Sequence, residues 1–197
     1  MATGDNYRQE EIDRVKTWLE QVVIGLNLCP FAKHPYQRGQ VHFVVSLAED
    51  EETLLQDLLY ECRDLKHMSP KDRDTTLIII PEMLQEFDDF NNFLDWSDAL
   101  LYQQGWRGVF QIATFHPDYH FAHTEGHDAD NLTNRAPLPI LHILREDSVE
   151  RALELYPDDP ETIFRRNIET VRNLTFKQKR ELFPYLAFNA SEINQDD

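Results

Sequence analysis

A chain of 197 residues with 41% apolar content is long enough to bury one core, and nothing in it calls for a second domain, so one domain over 1–197 is expected. Its formal net charge of −17 argues against nucleic acid and anionic membrane surfaces as partners, because binding to either depends on clustered Lys and Arg. No apolar run approaches the roughly 20 residues that cross a bilayer, and the start of the chain lacks the pattern of a secretory signal, so the expected setting is the cytoplasm.

Ile12, Val15, Leu19, Val22, Val23 and Leu26 recur at helical spacing and predict an amphipathic first helix that ends before Pro30. Val41 to Ser46 reads as a strand, followed by a helix with Leu54, Leu55, Leu58, Leu59, Cys62 and Leu65 on one face. Thr75 to Ile80 repeats the strand signal, and Leu84, Phe87, Phe90, Leu94 and Leu101 carry a helix to a cap at Gly105. Val109 to Phe115 supplies a third strand. Ile140 to Leu155 reads as helical, Asp159-Pro160-Glu161 opens another helix, and Thr175 with Gln178 has capping-box spacing. The tail from Asn189 is polar and expected to fray. The alternation predicts an α/β fold: a mainly parallel sheet of at least three strands, an N-terminal helix and a helical C-terminal third.

Function is expected in the polar stretch from His116 to Glu146, which follows the third strand and contains five of the eight histidines. His116 and Tyr119 are candidates for acid–base chemistry and Asn134 for substrate orientation. Arg135 and Arg145 have the guanidinium geometry that suits a carboxylate or phosphate, and His142 sits among apolar residues beside them. His116, His120, His123 and His127 form H-x3-H-x2-H-x3-H, a spacing at which imidazoles can converge on a metal, but Pro117 and Gly126 place it in a loop, so no metal is assigned. Cys29 is the other candidate. A thiol at a helix C-terminus faces the negative end of the dipole, so a nucleophilic role requires a neighbouring cation. Cys29 and Cys62 are both expected to be reduced, and serine-hydrolase, dinucleotide and P-loop patterns are absent.

The segments G-L-N-L-C-P-F-A at Gly25 to Ala32, Q-I-A-T-F-H-P-D-Y-H-F at Gln111 to Phe121 and N-R-A-P-L-P-I-L-H-I-L-R-E at Asn134 to Glu146 resemble an uncharacterised bacterial family, domain of unknown function 1415. The resemblance implies no reaction. It implies a residue pattern that includes Cys29, His116, Tyr119, Asn134, Arg135, His142 and Arg145, and that omits His120, His123 and His127. The resulting expectation is a small enzyme acting on an anionic metabolite or a peptide-like group, with Cys29, His116 and Arg135 in one cavity and an anion at Arg135 and Arg145. A non-catalytic ligand-binding or interaction module and a metal-dependent protein are the alternatives. Neither a cofactor nor an oligomeric state is specified.

Overall fold

The computed structural model describes residues 2–188, so the expected fraying from Asn189 lies outside the described residues. Helix α1 (Ala2–Trp18) runs directly into a π-helical segment at Leu19–Ile24 and is followed by the short α2 (Lys33–Gln37). Then come β1 (Val41–Val45), α3 (Glu51–His67), β2 (Thr75–Ile79), α4 (Phe87–Gln103) and β3 (Phe110–Phe115). A long connection containing a 3-10 turn at Ala129–Thr133 leads to β4 (Ile140–Arg145), α5 (Glu146–Glu154), α6 (Glu161–Arg172) and α7 (Phe176–Leu182).

The fold is mixed α/β, with strand order β1-β2-β4-β3. Only β1 and β2 pair in parallel, whereas β4 lies antiparallel between β2 and β3, so the sheet is mixed and the mainly parallel expectation is not met. The difference traces to Ile140–Arg145, which reads as the start of a helix but forms an interior strand. Ile140, Leu141 and Ile143 are fully buried because this strand is covered on both faces, and a continuous apolar run of that kind carries no period that separates strand from helix. The helical pattern is real only from Glu146.

Side-chain alternation along the strands divides the interior into two layers. Ile78, Ile80, Leu141 and Ile143 pack with Leu54, Leu58 and Leu65 of α3 and Phe90 and Phe93 of α4. Val45, Leu77, Ile79 and Ile140 face the other way, against Val15, Trp18, Leu19, Val22 and Val23, with Val171, Leu174 and Phe183 closing that side. Trp18 anchors the first helix over the sheet, edge-on to Phe115 at 5.0 Å, and its indole N–H donates to the Arg135 carbonyl at 2.9 Å.

The π-helical segment re-aims the chain just ahead of Cys29. Its wider turns give the bonds from Gly25 N to Glu20 O (2.9 Å) and Leu28 N to Val23 O (2.9 Å). A Cβ at Gly25 would stand 2.2 Å from the Gln21 carbonyl oxygen, a contact only backbone movement can relieve. Gly25→Ala is therefore expected to destabilise the fold by about 2–3 kcal/mol in urea denaturation, as overpacking does. A loss under about 0.5 kcal/mol would show that the backbone here is not constrained as described.

Candidate functional site

Between the π-helical end of α1, α2, α5 and one face of the sheet lies a cavity of about 570 Å³. The strands contribute Val41, Thr75, Leu77, Gln111, His142 and Leu144, all on the face that looks toward the first helix. Leu19, Cys29, Pro30 and Phe31 form the opposite wall, and Val149 and Ala152 of α5 cover one side. Phe31 meets Tyr156 edge-on at 5.6 Å where α5 ends, joining the two walls. The loop bearing Cys29 is tied to α6, whose Asn167 side chain donates to Leu28 O at 2.6 Å and whose Arg166 donates to Asn27 O at 3.3 Å. Asn27 itself adopts φ 53°, a left-handed conformation that asparagine tolerates. Size and mainly apolar lining are those of a small-molecule site.

Burial favours the uncharged forms of the Cys29 thiol and the His142 imidazole, and His34 also stands on the cavity wall. Burial raises the Cys29 thiol above its ordinary value, and the backbone N–H groups of Phe31 and Ala32, which favour the thiolate, offset only part of that effect. Desolvation lowers His142 to about 4, so its imidazole is neutral throughout the physiological range. Its Nε2 lies 2.6 Å from Thr75 Oγ1. No hydrogen bond joins Cys29 to His142; they share the cavity without touching as a dyad.

Arg145, expected to bind an anion, contributes to the cavity wall but directs its guanidinium elsewhere. Nη2 donates to the carbonyls of Leu65, Met68 (2.8 Å) and Arg73 (3.2 Å), tying the C-terminal end of α3 to β4. That is a structural clamp on carbonyls at the end of α3 and in the turn that follows it. Its Nε is buried with no partner among the described residues.

The other residues singled out from the sequence lie away from Cys29. His116 is fully buried, and both ring nitrogens are committed: Nε2–H donates to Leu84 O at 3.0 Å, and Nδ1 accepts from Asp118 N–H at 3.0 Å. The ring packs on Phe87 and Phe90, with centroids 5.4 and 5.1 Å away. It leaves no lone pair for a substrate or a metal. Tyr119 packs between Phe87 and Phe121, each with its ring centroid 5.1 Å away. Asn134 donates to Thr114 O at 3.2 Å and its carbonyl accepts from His116 N, closing the end of β3. Arg135 donates to the carbonyls of Tyr119 (3.2 Å) and Gly126.

The expected meeting of Cys29, His116 and Arg135 in one cavity therefore does not occur. Cys29 and His142 line one cavity, Arg135 lines another, and His116 lines neither. The second cavity, about 680 Å³, is bordered by Glu86, Asp88, Asp89, Asp118 and Asp128 as well as Arg135 and Lys179, a set of charges unsuited to an anion. His120, His123 and His127 are exposed, and among the described residues no three His, Cys, Asp or Glu side chains are grouped to hold a metal ion. The long loop is satisfied from within. Fully buried Asn131 accepts from Phe121 N (3.1 Å) and Thr124 Oγ1 (2.7 Å) and donates to Glu125 O (2.7 Å), while Arg172 grips Asp130 through two bonds of 2.6 and 2.7 Å.

Sequence reasoning passed over Thr75, Ala152 and Asn167, because each looks like an ordinary strand or helix residue until the fold sets Thr75 beside His142, Ala152 on the cavity wall and Asn167 against the Leu28 carbonyl. The fold and cavity together define a mixed α/β protein with a mainly apolar pocket lined by the Cys29 thiol and the His142 imidazole. A family model described as a protein of unknown function (DUF1415) matches residues 10–181, and the chain belongs to that family. No curated protein and no solved structure matches it. No helix among the described residues is long and apolar enough to cross a membrane.

Proposed function

We propose that this protein binds a small, largely apolar molecule in the cavity between Cys29 and His142. The observation that carries the reading is a cavity of about 570 Å³ whose mainly apolar walls come from the sheet, the π-helical turn and α5, with burial favouring the neutral forms of Cys29 and His142. An anionic ligand is not favoured here. Asp74 stands on the wall, Arg145 is occupied by carbonyls, and burial opposes protonation of His142.

The enzymatic alternative has Cys29 as nucleophile and His142 as its base. The N–H groups of Phe31 and Ala32 directed at the thiol speak for it, since they would stabilise a thiolate. The proton balance speaks against it: burial raises the Cys29 thiol and lowers the His142 imidazole to about 4, so desolvation moves the two groups apart and opposes proton transfer from the thiol to the imidazole in the free protein. Binding is therefore the primary reading.

The test is a fluorescence titration with phenylnaphthylamine, an uncharged apolar probe. Wild-type protein is expected to bind it, to slow iodoacetamide alkylation of Cys29 when it is bound, and to lose at least about tenfold in affinity on Ala152→Trp, which fills the cavity from its α5 side. Equal affinity in the two proteins, or none in wild type, overturns the reading. Alkylation of Cys29 in the free protein faster than that of free cysteine near neutral pH would favour the enzyme instead.

A further inference from the structure

We infer that Thr75 locks His142 in a single tautomer, so that the cavity presents an unprotonated ring nitrogen and selects an uncharged ligand bearing a hydroxyl or amide N–H. This rests on the binding reading above and specifies its polar end. Thr75 Oγ1 lies 2.6 Å from the Ile143 carbonyl oxygen and 2.6 Å from His142 Nε2. Two oxygens at that separation require a proton between them, and a threonine hydroxyl has only one. The hydroxyl therefore donates to Ile143 O, and the contact with Nε2 is made only if the imidazole donates. Nε2 carries the proton and Nδ1 is the acceptor. No described residue hydrogen-bonds to Nδ1, and it is not a buried unpaired atom, so it remains accessible in a ring that lines the cavity.

The lock is rigid for local reasons. Thr75 is 6% exposed on the interior strand β2, and its β-branched side chain has restricted χ1 freedom. The register pairs Leu77 with His142 and Thr75 with Leu144, so the hydroxyl reaches the imidazole diagonally across the same sheet face. Phe115 flanks the ring, with centroids 6.3 Å apart. A carboxylate or ether oxygen at Nδ1 would set lone pair against lone pair. A hydroxyl or N–H donor would pair with the nitrogen, and a site built around a hydrogen bond discriminates strongly against analogues that lack it.

Three probes of equal chain class separate the possibilities: octanol, its isomer methyl heptyl ether, and octanoate. Calorimetry is expected to show octanol binding at least about tenfold more tightly than the ether or the anion, and imidazole nitrogen NMR of the free protein to show His142 protonated at Nε2. Thr75→Val removes the acceptor that holds the tautomer and is expected to reduce the octanol preference to about twofold or less, while Thr75→Ser retains it. Circular dichroism verifies that each variant is folded. Protonation at Nδ1, equal affinity for octanol and ether, or an unchanged preference in folded Thr75→Val each overturn the inference while leaving the pocket in place. If phenylnaphthylamine and all three probes fail to bind, the binding reading falls, and with it the ligand class inferred here.

Discussion

His116→Ala is expected to cost about 3–5 kcal/mol of folding stability while leaving probe binding at the Cys29 cavity within about twofold of wild type wherever the variant is folded. The truncation removes a ring packed between Phe87 and Phe90, and large-to-small changes in such places cost about 2–5 kcal/mol. It also strips the His116 partner from the carbonyl of buried Leu84, and an unsatisfied buried polar group costs about 1–3 kcal/mol, whereas the N–H of exposed Asp118 can turn to water. Leu84 is held at φ 56°, a left-handed conformation unfavourable for leucine, so the bond from His116 also secures a strained residue at the start of the connection to α4. Urea denaturation measures the first half of the expectation and fluorescence titration the second. A variant of near wild-type stability that no longer binds would place His116 in the functional site after all.

The second large effect is at Arg73, in the turn ahead of β2. Its guanidinium donates to Glu61, to Asp64 at 2.6 Å and to Thr76 Oγ1 at 2.9 and 2.7 Å, and both Arg73 and Glu61 are only 6% exposed. Removing one member of a buried pair leaves the other charge desolvated without compensation, which costs about 3–5 kcal/mol, far more than the net worth of the pair itself. Arg73→Ala is expected to show that loss in urea denaturation. The double variant Arg73→Met with Glu61→Leu is expected to recover most of it, because two apolar side chains of similar size leave no buried unpaired charge and the half-exposed Asp64 carboxylate is solvated by water. A loss below about 1 kcal/mol in the single variant would mean that water reaches Glu61. Asp74 and Thr75 follow directly in the chain and line the cavity, so this network also fixes the edge from which Thr75 meets His142.

Much of the local structure is legible in the order of residues alone. The strands at Val41, Thr75 and Phe110 fall within a residue or so of their expected limits, Thr175 and Gln178 form the capping box, and Gly105 takes φ 66° just past α4. Each of these depends on neighbours within a few residues, and backbone sterics and capping act at that range. The chemistry is legible only in part. Cys29 and His142 lie in one cavity as members of a single candidate set, but in the polar loop after β3 His116 is committed to Leu84 O, Asn131 and Arg135 bond the loop's own backbone, and His120, His123 and His127 are exposed.

The α/β class, most element boundaries, the apolar faces of the helices and the family pattern are all encoded locally and follow from the amino-acid order. That Ile140–Arg145 is a strand, that it runs antiparallel between β2 and β3, and that Cys29 shares a cavity with His142 rather than His116 emerge only once the chain is folded. The reason is the range of the forces involved. Periodicity and caps are read between residues a turn apart, whereas strand pairing, the commitment of a guanidinium to a helix end and the proton position on His142 depend on partners such as Leu65 and Thr75, tens of residues away.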